Sequence, residues 1–434
     1  MNKLLDTLDA KFAQPMSKIS EQRHLRAIRD GVVSAIPLII VGSFFLIIAF
    51  PPIPKDWGFY IWATKHALQI LIPYRLTFWI MSLYICFGIG YNLSKSYGMD
   101  PLQGGQLSVA AFLLSIMPVT AKQGLMLPME SLGSVGIFPC MILSIFAVEV
   151  MHMCVKHNWT FKMPKQVPSS VAHSFEAIIP AAIIILVMTM INVVFKINLE
   201  QVIQWIFSPL VKAGDTLPGV IIPAFLVVFF WFFGIHGDSI VGSVARPIWL
   251  QYFTENAEKV ANHATPTHIA PETFFQWFIW IGGSGATIGL IICAVMIGKA
   301  KYTKSITRAC LVPAIFNINE PIIFGFPVML NPIFLIPFIL APMVMVLVTW
   351  FAFSLGFVNM MFVQPPWTLP APIGAYIATG GDWRAIVLCL INILISVVIY
   401  YPFVRMYDRA ELKKEQEGLD EDAESSTSEE VATN

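Results

Sequence analysis

Ala309 to Leu330 reads ACLVPAIFNINEPIIFGFPVML, an apolar run holding one acid, Glu320, beside two asparagines and a proline. Of the 73 residues between Arg308 and Asp382, Glu320 is the only Asp, Glu, Lys, Arg or His. An acid at bilayer depth costs about 2.5–3.5 kcal/mol on insertion scales, so such a residue normally faces a cavity or a partner. Pro321 removes a backbone donor and disfavours helix at Glu320, which predicts a break in the segment there. Non-helical backbone in a membrane is tolerated only against protein or a wet cavity. Carboxylate, the amides of Asn317 and Asn319 and freed backbone groups together make a site for hydroxyls. The bland alternative is a protonated Glu bonded to a neighbouring helix.

The rest of the chain supports a membrane setting. Its 434 residues are 56% hydrophobic and 12% charged, against about 25% charged in soluble domains; the mean hydropathy is +0.70. Runs free of Asp, Glu, Lys and Arg cover 31–54, 76–94, 101–121, 131–148, 177–195, 216–235, 273–298, 330–356 and 385–404. Each is close to the roughly 20 residues a spanning helix needs. Two more apolar segments, 236–254 and 309–329, are interrupted. The predicted fold is an all-α polytopic membrane protein of about ten transmembrane helices, with two re-entrant or broken hairpins and amphipathic surface helices. Its predicted divisions are an amphipathic N-terminal helix (1–30), two membrane subdomains (31–197 and 198–406) and an acidic disordered tail (407–434).

Basic clusters at Arg23/Arg26/Arg29, Lys156/Lys162/Lys165, Lys299/Lys301/Lys304/Arg308 and Arg405/Arg409/Lys413/Lys414 should all be cytoplasmic by the positive-inside rule, placing both termini there. Three clean spans lie between the second and third clusters, so either 236–254 supplies a fourth crossing or one basic cluster misleads. Two clean spans suffice between the third and fourth, so 309–329 should enter and leave on one side. Residues 255–272 read as a surface loop. A formal net charge of 0 gives no reason to expect nucleic acid, and six scattered cysteines without a CxxC argue against a disulfide framework. No cleavable leader is apparent, and no metal or other cofactor is expected: His152, Cys154 and His157 on adjacent turns of one helix do not close a tetrahedral site.

Two further constellations carry chemistry. Gly234-Ile235-His236-Gly237-Asp238-Ser239 closes an uncharged span, and the glycines flanking His236 allow close approach of backbone or ligand. Asp238 and Arg246 are expected to pair with each other or with backbone. Gln364-Pro365-Pro366-Trp367-Thr368-Leu369-Pro370-Ala371-Pro372 cannot be helix. It would present an indole to the apolar face of a sugar ring, with Gln364 and Thr368 for hydroxyls; an interfacial Trp in a connecting loop is the rival reading. Gly282-Gly283-Ser284-Gly285 reads as a helix-packing stretch rather than a phosphate cradle.

The NINEPIIFG stretch (Asn317–Gly325), FGIHG (Phe233–Gly237) and PPW…P…GG (Pro365 to Gly381) resemble the membrane enzyme IIC component of sugar phosphotransferase systems, in the lactose, cellobiose and diacetylchitobiose group. The resemblance implies a homodimer, dimer contact through the N-terminal subdomain and a sugar site in the C-terminal one. It implies a disaccharide phosphorylated on a 6-hydroxyl during transport, by a cysteinyl phosphate on a separate IIB protein charged by IIA. The donor cysteine would lie on that partner, leaving it open whether this chain alone is an enzyme. The family's glutamate and histidine contacts fall on Glu320 and His236, the expected catalytic pair; Gly237, Asn317, Asn319, Gln364, Trp367 and Thr368 complete the expected substrate contacts. The implied location is the bacterial plasma membrane. The alternative is a cation-coupled disaccharide symporter with Glu320 and His236 as a proton relay.

Overall fold

A computed structural model describes residues 22–51, 53–122, 124–161, 163, 175–326, 328–329 and 331–432, with side chains as far as 417. The expected N-terminal amphipathic helix lies largely outside the described residues. Residues 23–30 belong instead to the first long helix, α1 (Arg23–Ala49), whose N-terminus is capped by the Gln22 side chain accepting from Leu25 N at 2.9 Å. Met81–Ser96 (α2), Pro101–Ser115 (α3) and Ile137–Lys156 (α4) follow. Small residues let these helices approach: a Cβ on Gly90 of α2 or Gly104 of α3 would strike the facing backbone. Close van der Waals packing of this kind is what joins helices in lipid, where no hydrophobic difference drives them together. Residues 101–121 do not make one span, because α3 stops at Ser115 and Val119–Ala121 pairs antiparallel with Gly124–Met126, the single sheet among the described residues.

Ile178–Thr189 (α5) passes through one π turn and meets Leu199–Gly214 (α6) at a bend of 86°. Leu217–Phe232 (α7) and Gly237–Ala261 (α8) are separated by a short break, then come Glu272–Phe278 (α9), Ile288–Ile297 (α10), Lys301–Ile315 (α11) and Glu320–Gly325 (α12). Pro332–Ser354 (α13), Ala371–Ala378 (α14) and Trp383–Ala432 (α15) complete the chain. Among the described residues five helical stretches are long and apolar enough to cross a membrane by themselves, or six if the bent pair is one span. The all-helical polytopic expectation is met, but several uncharged runs are divided. The run 273–298 is two short helices around a non-helical stretch at 279–287. The segment 236–254 is the reverse case, a continuous helix whose interruption lies just before it.

Buried apolar side chains gather in two large clusters and a small third one of Ala27, Leu93 and Val148. One large cluster is built from α1–α4 with Ile184 and Met188 of α5; the other draws on α7, α9, α10, α13 and α15. Helix α8 serves both, giving Val241, Ile248 and Trp249 to one and Leu250, Phe253 and Ala257 to the other. A helix apolar on more than one side is buried on more than one side.

One polar expectation is corrected. Residues 255–272 are not a free surface loop: α8 runs to Ala261, and His268 sits between Asp215 Oδ2 at 2.8 Å and Glu255 Oε2 at 2.6 Å. Burial pulls the His268 pKa down, but the two carboxylates outweigh it and raise it from 6.5 to about 9. The segment from 407 onward starts against the rest of the fold. Tyr407 and Asp408 are buried, and the Asp408 carboxylate accepts from Lys299 N and Ala300 N at 3.0 Å, on the turn that leads into α11. The helix is recorded through Ala432. A buried carboxylate that accepts two backbone N–H groups gives the start of this segment a docking point.

Candidate functional site

Four chain breaks converge. After α7, Gly234 takes a φ of +80° and His236 caps α8. Between α9 and α10, Gly282, Gly283 and Gly285 hold φ values of +79°, +98° and +86°. Between α11 and α12, Asn317 has φ +60°, a left-handed conformation that asparagine tolerates. The fourth is the proline loop at 364–370. Around them lies a cavity of ≈ 350 Å³, at the lower end of the roughly 300–1,000 Å³ usual for small-molecule sites.

The breaks hold one another. The Asn317 side chain accepts from Gly282 N at 3.0 Å and donates to Trp367 O and Leu369 O at 3.1 and 2.9 Å. Asn319 Nδ2 donates to Ser284 O at 3.1 Å. From behind, Ser396 donates to Ala286 O at 2.7 Å and Tyr400 to Gly285 O at 2.8 Å. The glycine stretch is therefore a wall of the cavity rather than a helix-packing seam. A Cβ at Gly283 would collide with the Asn319 side chain.

Among the expected residues the cavity brings together Glu320, His236, Asn317, Asn319, Gln364 and Trp367. Gly237 and Thr368 are not in its lining: Gly237 is buried, against Val227 on α7, and Thr368 is exposed elsewhere. Glu320 opens α12, is exposed, and has no hydrogen-bond partner among the described residues. The His236 Nδ1 accepts from Ser239 N at 3.2 Å. A backbone N–H only donates, so the neutral ring carries its proton on Nε2 and offers a donor.

Several lining residues escaped the sequence reading. Arg246 pairs with Glu272, Nε to Oε1 at 2.9 Å, and not with Asp238. Asp238 Oδ2 accepts instead from Trp231 Nε1 at 2.7 Å and Ser284 Oγ at 2.5 Å. Gln276 and Trp280 complete this side, and the Trp280 Nε1 is buried without a partner among the described residues. The charges of Arg246 and Glu272, flanking an apolar region, were the available signal; Trp280 carried none. The opposite wall comes from the first helix, through Ile36 and Ile40. One turn on, Ser43 Oγ accepts from Gln364 N at 3.1 Å while donating to Ile40 O at 2.8 Å. All six cysteines are free and buried, and none lines the cavity.

A cavity with carboxylate, imidazole, amide and indole groups fits a polyhydroxylated ligand. Residues 29–342 match the family profile "Phosphotransferase system, EIIC". The chain is 38% identical to the "PTS system cellobiose-specific EIIC component" of Geobacillus stearothermophilus, over 96% of this chain and 97% of that one. It is 35% identical to the "PTS system lactose-specific EIICB component" of Streptococcus mutans, over 96% of this chain and 75% of the relative. The crystal structure of ChbC, the IIC component of an N,N'-diacetylchitobiose-specific phosphotransferase system, superposes with a TM-score of 0.89 at 34% identity, covering 94% of this chain and 99% of that one. Family profile, relatives and fold agree: the chain belongs to the EIIC family, the membrane sugar permease component of the phosphotransferase system.

Proposed function

We propose that the cavity binds a β-linked disaccharide, cellobiose first among candidates, and presents its 6-hydroxyl to a phosphorylated IIB partner. The observation that carries this reading is the shared cavity of Glu320, with no partner of its own, and His236, with its Nε2 proton free. Both are then available to one sugar hydroxyl. An attacking hydroxyl must lose its proton as it meets phosphorus, and a carboxylate within hydrogen-bond reach orients it and accepts that proton. His236 donates to a neighbouring oxygen, and Trp367, half-exposed at 52%, offers its face to a sugar ring. The phosphoryl group comes from the partner; the burial of every cysteine here is consistent with that division of labour.

Cellobiose is placed first because the cellobiose-specific relative is 38% identical to this chain, against 35% for the lactose-specific relative and 34% for the diacetylchitobiose-specific one. A cation-coupled symporter is not favoured, given the family. The two large apolar clusters support reading the chain as two membrane halves, divided near residue 197, with homodimer contact on the first. Basic residues at both ends of the helical region support cytoplasmic termini in a bacterial plasma membrane.

The test is a thermal-shift panel of β-linked disaccharides on purified protein, followed by phosphorylation with phosphoenolpyruvate and the soluble components. Glu320→Gln should lower the phosphorylation rate by about 10²–10⁴-fold, the usual contribution of a general base. A wild-type rate in that variant would remove the base role, and uncoupler-sensitive uptake of unmodified sugar would remove phosphotransfer.

A further inference from the structure

We infer that Asn317 is a positioning residue: it acts on the sugar through Trp367, by fixing the proline loop to the glycine wall, and not by touching the sugar itself. This rests on the reading above of Trp367 as a sugar platform.

An asparagine side chain has two donors and one acceptor oxygen. At Asn317 both donors are spent on the carbonyls of Trp367 and Leu369, and the oxygen receives Gly282 N–H. No N–H is left for a ligand, although the residue borders the cavity. The residue is 7% exposed, so water does not compete well for these bonds. The loop it holds is also tied at its start, where Gln364 N donates to Ser43 Oγ of the first helix, but has few other ties near Trp367. Leu369 N donates to Pro366 O within the loop, and the prolines at 365, 366 and 370 bring no backbone donor. The exposed Trp367 side chain is therefore aimed largely through its own carbonyl. The other end of the bridge is Gly282, in the wall that also carries Gly283 and Ser284. One amide thus sets the spacing between two faces of the cavity that come from segments 35 and 50 residues away from it.

The experiment is a double-mutant cycle on cellobiose affinity, measured by calorimetry on the full-length protein. Asn317→Gly removes the whole bridge while keeping the left-handed backbone that +60° requires. Asn317→Asp keeps the acceptor for Gly282 N–H but sets oxygens against the two loop carbonyls. Either variant that unfolds cooperatively near the wild-type temperature serves. Trp367→Ala should weaken cellobiose binding by roughly tenfold, the size of one aromatic contact. Each Asn317 variant should lose a similar factor, and combining it with Trp367→Ala should cost nothing more. Losses that multiply to roughly a hundredfold would overturn the inference, because the two residues would then act separately. So would an Asn317 variant with wild-type affinity beside a weakened Trp367→Ala. A Trp367→Ala variant with unchanged affinity would instead remove the platform reading on which the inference stands. If wild type takes no cellobiose, the cellobiose assignment falls and the same cycle is run on lactose and diacetylchitobiose.

Discussion

His268 is held between two carboxylates, and this makes a quantitative forecast about alkaline pH. Its pKa is raised from 6.5 to about 9, and each pH unit is worth about 1.36 kcal/mol. The latch therefore contributes up to about 3 kcal/mol, somewhat less because the ring is 20% exposed and partly screened. A raised folded-state pKa means that this stabilisation is fully present below pH 6.5 and lost as pH rises through about 9. The contacts explain where the loss would act. Asp215 also accepts from Ile269 N and Ala270 N, and Asn256 accepts from Thr267 N and His268 N, so the latch joins the α6–α7 turn, α8 and the 262–271 loop. The assay is thermal unfolding in detergent from pH 6 to pH 10, comparing wild type with His268→Gln, which keeps a donor but does not titrate. The wild type should unfold a few degrees higher at pH 6, with the gap closing by pH 10. A gap that stays constant across that range would refute the charged-histidine argument.

Three other outcomes are expected. Gly283→Ala should weaken sugar binding by roughly tenfold or more, since a Cβ there needs an unfavourable φ and displaces Asn319; equilibrium binding checks it. Arg246→Ala should destabilise the fold by on the order of 3 kcal/mol by leaving the Glu272 charge unpaired, whereas Arg246→Met with Glu272→Leu should cost less; thermal unfolding separates them. Asp408→Ala should cost about 1–3 kcal/mol by leaving the Lys299 and Ala300 N–H groups without their acceptor and leave sugar affinity at the wild-type value, as unfolding and calorimetry would show.

Charge spacing exposed Glu320, and proline and glycine chemistry exposed the breaks beside it and His236, because each of these signals is local. What stayed hidden was pairing between segments. Nothing near Arg246 says that its partner is Glu272 rather than Asp238, and nothing in GGSG distinguishes a cavity wall from a helix contact. The same holds for Asp408, whose carboxylate accepts from the backbone of a residue 109 positions earlier. Uncharged length was a good guide to apolar environment and a poor one to helix continuity, since 273–298 is free of charge and still breaks at 279–287.

The contact between Ser43 and Gln364 has a consequence for biogenesis. The two residues are 321 positions apart, so at about 5–20 residues per second the ribosome needs roughly 15–60 s to deliver the second after the first. During that interval α1 presents one wall of an unfinished chamber. The Ser43 hydroxyl bridges the wait by bonding the carbonyl of Ile40 in its own helix, so the emerging chain carries no unsatisfied group there into the bilayer. The sugar chamber is thus begun by the first long helix and closed only after the proline loop has left the ribosome, which makes sugar binding a late reporter of completed assembly.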